Sequence, residues 1–292
     1  FVVLNFGRIL GMTMFKVSVL MPIYKTQEIY LREAIESILE QTFLDFEFLI
    51  LDDCPEDDRE KIVKSYNDKR IKYFKNEKNL GISASRNKLI DMAQGEYLAV
   101  FDHDDISVPT RLEKQVSFLE THSEVGVISG QLEHFPKKKV TTHPENNLDI
   151  KVSLMQADVI AHTAMMVRAS VLNKYGIRYE EEYSPAEDYK IVLQLLKYTM
   201  FHNIQEVWVK YRNFDGNTSH LQKEKMINAD ALCRCFAAKE YPYLYQQIKQ
   251  PLCKRRLWLK LFGFIPLIKI KKMPNKSKVY LFGFIPLYSM KA

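Results

Sequence analysis

The apolar and polar positions of this chain fall into a repeating order. Phe15 to Met21 reads Phe-Lys-Val-Ser-Val-Leu-Met, a buried-strand pattern that Pro22 ends before Tyr24 in the following loop. Leu31, Ala34, Ile35, Ile38 and Leu39 then recur at i, i+3, i+4, i+7 and i+8, one face of an amphipathic helix. Phe46 to Leu51 is a second apolar strand, and it stops in Asp52 and Asp53. A strand, a helix and a strand in this order imply parallel pairing through a right-handed crossover. The alternation continues with a short helix around Arg59 to Tyr66, a strand over Ile71 to Phe74, a helix through Leu89, Met92 and Ala93, and a strand over Tyr97 to Phe101. Beyond it the pattern predicts a helix over Pro109 to Thr121 and a strand near Val125 to Gly130. The polar stretch Phe135 to Asn147, with Lys137, Lys138 and Lys139, reads as a solvated loop or an acceptor-facing flap. A strand over Thr163 to Arg168, a helix through Val192, Leu195 and Leu196, a strand over Glu206 to Tyr211 and a helix near Lys223 to Lys239 complete the series. Such an alternation predicts an α/β fold, a three-layer α/β/α sandwich on a mostly parallel central sheet.

In open α/β sheets ligands bind beyond the carboxyl ends of the strands, so Tyr24, Asp52 and Asp53 are expected on one rim. The strand over Tyr97 to Phe101 ends at the same side in Asp102-His103-Asp104-Asp105, three carboxylates in four residues. Crowded carboxylates raise one another's pKa, and an oxygen-only donor set suits a hard cation such as Mg²⁺ or Mn²⁺ bridged to substrate phosphates. A solvated acidic turn capping the next helix is the alternative. Gly81 and Ser83 open a helix whose N-terminus points at the same rim, where Arg86 could seat a phosphate or lie solvated on the surface. Pro185 with Glu187 and Asp188 is ordinary helix-start chemistry when read alone.

The 292 residues, 47% hydrophobic, suffice for one large domain with an appendage. The net charge of +6 is unevenly spread, because residues 251–292 contain ten Lys or Arg and no Asp or Glu. Within that tail Leu261-Phe-Gly-Phe-Ile-Pro-Leu recurs as Leu281-Phe-Gly-Phe-Ile-Pro-Leu, 20 residues on. Aromatic and aliphatic residues interleaved with lysines suit an anionic membrane surface. The repeats could equally pack on the catalytic domain or on a second subunit of a homodimer. Nucleic acid is not expected, since no nucleic-acid motif accompanies the charge. Cys54, Cys233, Cys235 and Cys253 lack the spacing of a zinc site and read as free thiols in a reducing compartment. No apolar run reaches the ~18 residues of a spanning helix. The expectation is a cytoplasmic protein, peripheral on the inner face of the cytoplasmic membrane. Its divisions are an N-terminal extension 1–14, a main domain 15–220, a helical connector 221–250 and the tail 251–292.

Taken together, Val17-Ser-Val-Leu-Met-Pro-Ile-Tyr, Leu51-Asp-Asp, Asn79-Leu-Gly, Ser85-Arg-Asn, Gly95-Glu-Tyr through Asp102-His-Asp-Asp, Glu187-Asp188 and Tyr211-Arg212 resemble the family 2 glycosyltransferases, inverting enzymes of the GT-A fold. The likeness runs from about Lys16 to Ser219 and implies that 15–220 is the catalytic domain, with a nucleotide half 15–105 and an acceptor half 106–220. It implies that Pro22, Tyr24, Asp52 and Asp53 hold the nucleotide base and ribose, with Arg86 near the diphosphate. Asp102, Asp104 and Asp105 match the DxD region, Asp102 on the donor and Asp104 and Asp105 on the metal. Asp188 matches the catalytic base, supported by Glu187. His162 lies in a segment similar to the family's acceptor side and touches donor phosphate or acceptor, or is structural. Two departures stand out: Cys54-Pro55 replaces the Gly-Ser common after the paired Asp, and Phe214 stands where many relatives carry a histidine. The activity so implied is metal-dependent transfer of a sugar from a nucleotide-diphosphate donor, UDP foremost, to a glycan or lipid-linked hydroxyl in surface polysaccharide or lipopolysaccharide assembly. A nucleotidyltransferase and a catalytically silent glycan-binding scaffold are the rivals.

Overall fold

The computed structural model describes residues 15–214, 216–217 and 221–248, together with the strand backbones of 256–261, 265–273, 276–281 and 285–291. The expected extension 1–14, Cys253 and Ser219 lie outside these residues. Two compact units result, Phe1–Pro242 and Tyr243–Ala292. The helix expected within a connector 221–250 therefore falls in the first unit.

That unit opens with β1 (Phe15–Ile23), α1 (Glu28–Leu39), β2 (Phe46–Asp52), α2 (Arg59–Lys64), β3 (Ile71–Lys75), α3 (Ile82–Met92) and β4 (Gly95–Val100). The predicted helical face of α1 is the one buried, with Leu31, Ala34, Ile35 and Ile38 in the core. Val17, Val19 and Met21 of β1 and Phe46, Phe48 and Ile50 of β2 join the same core. Burying a side chain of this kind stabilises by roughly 1.5–3 kcal/mol. β1, β2, β3 and β4 pair in parallel in the order β3-β2-β1-β4. The chain builds outward from β1 to β3 and then returns to β1's other side, which makes the rim beyond β1 and β4 a topological switch point.

Residues 106–240 contain β5 (Ile106–Ser107), α4 (Arg111–Thr121), β6 (Val125–Phe135), β7 (Lys139–Thr141), α5 (Asn147–Ser153), β8 (Met166–Arg168), α6 (Ala169–Tyr175), α7 (Glu187–Leu195), β9 (Met200–Arg212) and α8 (Lys223–Glu240). They continue the sheet in the order β4-β8-β6-β9-β5, with β7 on β6. Here β8 runs antiparallel to β4 and β6, β5 antiparallel to β9, and only β6 and β9 are parallel. The parallel pattern thus holds over β1 to β4 and becomes mixed beyond them.

Two local expectations change. The stretch from Phe135 is not all loop, because Leu132 pairs with Thr141 and His134 with Lys139 in a hairpin. The segment 163–168 begins as a 3₁₀ turn, His162–Ala164, which leaves only Met166–Arg168 extended. α5 and α6, seven residues each, show too few periods to stand out in the sequence.

In the second unit β10 (Arg256–Leu261), β11 (Ile265–Met273), β12 (Lys276–Leu281) and β13 (Ile285–Lys291) form an antiparallel meander. Each copy of the repeated heptapeptide runs from the end of one strand to the start of the next, at β10–β11 and again at β12–β13. No helix among the described residues is long and apolar enough to cross a membrane.

Candidate active site

The rim beyond β1 and β2 is closed by its own carboxylates. Pro22 is buried in the β1 register opposite Leu51, and Tyr24 just past the strand is exposed. Asp52 accepts the amide of Cys54 at 2.9 Å and the Tyr73 hydroxyl at 2.8 Å, one bond on each oxygen. It therefore braces the turn that Cys54-Pro55 makes in place of Gly-Ser, and burial raises its pKa. Asp53 accepts Asn76 Nδ2 and the Leu80 amide on one oxygen and the Gly81 amide on the other, all within 2.9 Å. Gly81 has φ +84, a conformation that L side chains rarely adopt, and it caps α3. Asp53 thereby fixes the start of the helix that carries Arg86.

Arg86 is the junction of the site. Its Nη1 donates to Glu187 Oε1 at 2.8 Å and its Nη2 to Asp102 Oδ1 at 3.0 Å. The guanidinium thus joins the end of β4 to the first turn of α7, and two carboxylates balance its charge. Burial alone would raise Asp102, but the charge of Arg86 holds it below the usual carboxylate range. Asp104 is raised by burial and by Asp102, with His103 opposing. Asp105, fully buried, is raised well above the ordinary value by burial and then by Asp104 and Asp102. Its Oδ1 accepts the Arg212 amide at 2.9 Å, and Arg212 Nε donates to the Asp104 carbonyl at 2.8 Å. Arg212 also pairs with Glu33 and lies against the Tyr30 and Phe135 rings. The Tyr211-Arg212 motif accordingly clamps the acidic loop to β9.

Asp188 stands beside Glu187 in the first turn of α7 and accepts the amide of Tyr189 at 2.7 Å. Burial and then the Glu187 charge raise its carboxyl to about 7, while Arg86 pulls the other way. A carboxyl so placed is partly protonated near neutrality, which suits a general base. Asp158 is raised well above the usual range by burial and then by Asp188, while its Oδ1 accepts the Ile160 amide. No motif in the sequence marked Asp158, a lone acidic residue without periodic context. His162 is 7% exposed and its Nε2 lies 2.8 Å from the Tyr179 hydroxyl. Burial, then Arg86, lowers its pKa to about 3. Thr163, next in the chain, accepts the Asp102 amide at 3.2 Å, which ties the 3₁₀ turn to the acidic loop.

The donor set around Asp102, Asp104 and Asp105 fits a hard divalent cation in chemistry. It is all oxygen, its charges crowd, and Asp105 Oδ2 is buried without a hydrogen-bond partner. Among the described residues, no three His, Cys, Asp or Glu are arranged to hold an ion by themselves. A cation here would draw its remaining ligands from substrate phosphate and water.

A sequence model described as "Glycosyl transferase family 2" matches residues 18–176. An uncharacterized glycosyltransferase of Methanocaldococcus jannaschii is 36% identical over 223 residues, 73% of this chain and 76% of the relative. The putative glycosyltransferase EpsE of Bacillus subtilis is 33% identical over 254 residues, 82% of this chain and 88% of that protein. In fold, the chain is similar to S. aureus TarS 1–349 crystallised in complex with UDP-GlcNAc, with TM-score 0.63 and 23% identity over 75% of this chain. It spans 65% of that TarS chain.

Proposed function

The chain belongs to glycosyl transferase family 2, and we propose that it moves a sugar from a UDP-linked donor to a hydroxyl of a glycan or lipid-linked acceptor, with inversion, in bacterial surface-polysaccharide assembly. The observation that carries this reading is the bridge Asp102–Arg86–Glu187, at 3.0 and 2.8 Å, which ties the acidic loop to Glu187, the chain neighbour of Asp188. The two parts of the reaction, donor activation and proton removal, are thereby set side by side. The complexes of TarS with UDP and with UDP-GlcNAc support a uridine donor.

Asp188, ionised, takes the proton of the acceptor hydroxyl as its oxygen attacks the anomeric carbon. The diphosphate leaves from the opposite face, so the configuration inverts, through an oxocarbenium-like transition state. Asp104 and Asp105 would hold Mg²⁺ or Mn²⁺, whose charge stabilises the leaving diphosphate. Asp102, kept ionised by Arg86, faces the donor, and Pro22, Tyr24, Asp52 and Asp53 shape the nucleotide side of the rim. Glu187 holds the α7 turn in place through Arg86. Residues 251–292 bring the enzyme to an anionic membrane surface where a lipid-linked acceptor resides.

The test is a panel of nucleotide sugars incubated with Mg²⁺ or Mn²⁺, scored for released nucleoside diphosphate. Release of UDP from at least one UDP-sugar supports the reading, and release from none contradicts it.

A further inference from the structure

Three buried polar atoms of one connected cluster lack a hydrogen-bond partner: Arg86 Nε, Glu187 Oε2 and His162 Nδ1. The cluster is continuous. Arg86 binds Glu187 and Asp102, its guanidinium lies 5.5 Å from the Tyr179 ring centre, and the Tyr179 hydroxyl meets His162 Nε2. Buried polar atoms are nearly always satisfied, so orphans gathered in one place mark where a ligand completes the set.

Its chemistry can be read from what is missing. Arg86 Nε can only donate, Glu187 Oε2 can only accept, and the imidazole Nδ1 does either according to tautomer. The charge of Arg86 is already balanced by two carboxylates, and His162 stays neutral at physiological pH. An anion finds no net positive charge here, whereas a hydroxyl, donor and acceptor at once, suits unpaired atoms of both kinds. His162 is also rigidly held. Tyr179 is fixed by two bonds to Asn87, each 2.8 Å, and the neighbouring Thr163 is tied to Asp102.

We propose that His162 is a specificity-determining residue, its Nδ1 hydrogen-bonding a hydroxyl of the donor sugar with Glu187 Oε2 as the companion acceptor, while Tyr179 holds the imidazole in its tautomer. The inference rests on the nucleotide-sugar reading above. A site built to hydrogen-bond a hydroxyl discriminates against a sugar that presents that hydroxyl elsewhere, because its own buried atom is then left unpaired.

The test uses the full chain and the variants His162→Gln, His162→Leu and Tyr179→Phe. Binding of UDP with Mn²⁺ is measured by calorimetry, and UDP release is measured from UDP-Glc, UDP-Gal, UDP-GlcNAc and UDP-GalNAc. UDP affinity is expected to stay within about twofold of wild type, because none of the residues assigned to the nucleotide, Pro22, Tyr24, Asp52 and Asp53, is changed. The ratio of kcat/KM between epimeric donors is expected to fall by roughly tenfold or more in His162→Leu, less in His162→Gln and Tyr179→Phe. A structural role alone would lower all four donors by one common factor, and that result overturns the proposal. Should His162→Leu not fold, His162→Gln and Tyr179→Phe decide it by the same ratio. A wild-type protein that binds no UDP overturns the nucleotide-sugar reading itself, an outcome distinct from unaltered selectivity in proteins that bind it.

Discussion

Glu187 and Asp188 are neighbours with different work. Glu187 is tied to Arg86 at 2.8 Å, whereas the hydrogen bond recorded for the Asp188 carboxyl is the 2.7 Å one from the next amide. In the sequence both read as helix-start acids, and only the resemblance separated base from support. Asp158 was not legible at all, because its importance comes from its proximity to Asp188 across the fold. Arg86 was legible as a cation at a helix start, but not as the bridge between two carboxylates. Substituting Asp188→Asn should lower kcat by roughly 10²–10⁴-fold and leave UDP affinity near wild type, as measured by steady-state kinetics and calorimetry. With the carboxyl at about 7, activity should rise with pH between about 6 and 8. The same group bears on stability. The folded carboxyl holds its proton more tightly than the unfolded one, so raising the pH from about 4 to about 7 removes stability, and the loss levels off above that. Thermal unfolding should therefore show Asp188→Asn gaining on wild type as pH rises from 5 to 8.

Among the elements, the strands that end in carboxylates were the most legible. Apolar runs such as Phe48 to Leu51 and Tyr97 to Phe101 are hard to mistake, and their ends place Asp52, Asp53 and Asp102 on one rim. Elements whose existence depends on tertiary pairing were not legible. β7 is three exposed or half-exposed residues with Lys139 at its start, and only its pairing with Leu132 to His134 makes it a strand. The 3₁₀ turn at His162 interrupts an apolar run that would otherwise read as strand. The β1–β4 contact gives an element-level prediction. A Cβ on Gly95 would lie 2.4 Å from the Ser18 amide nitrogen, and the Gly95 amide donates to Ser18 Oγ at 2.8 Å. Because the obstacle is backbone, Gly95→Ala should destabilise the domain by about 1–3 kcal/mol in urea unfolding. An unchanged midpoint would show that the two strands part without penalty.

For the whole molecule, the uneven charge and the 20-residue repeat were plain in the sequence, but the arrangement of the repeat was not. Along the chain its apolar and basic residues interleave. In the meander, Leu257, Ile270, Val279 and Tyr288 fall on one line across four strands, and Arg256, Lys271, Lys278 and Ser289 on the adjacent line. Basic and apolar positions thus lie beside one another throughout the four strands. Flotation with vesicles containing anionic lipid should therefore retain the full chain and lose a chain lacking residues 251–292, and equal flotation of the two would sink the membrane role. Both should release UDP from the donor at similar rates, since the residues assigned to chemistry all lie in the first unit. The central claim, sugar transfer from a nucleotide donor with Asp188 as base, is met most directly by one product analysis. Wild type and Asp188→Asn are incubated with a UDP-sugar panel and acceptor, and the phosphorus products are separated. The account predicts UDP from wild type and a loss of roughly 10²-fold or more in the variant. Pyrophosphate as the product, or UDP release undiminished in Asp188→Asn, would contradict it.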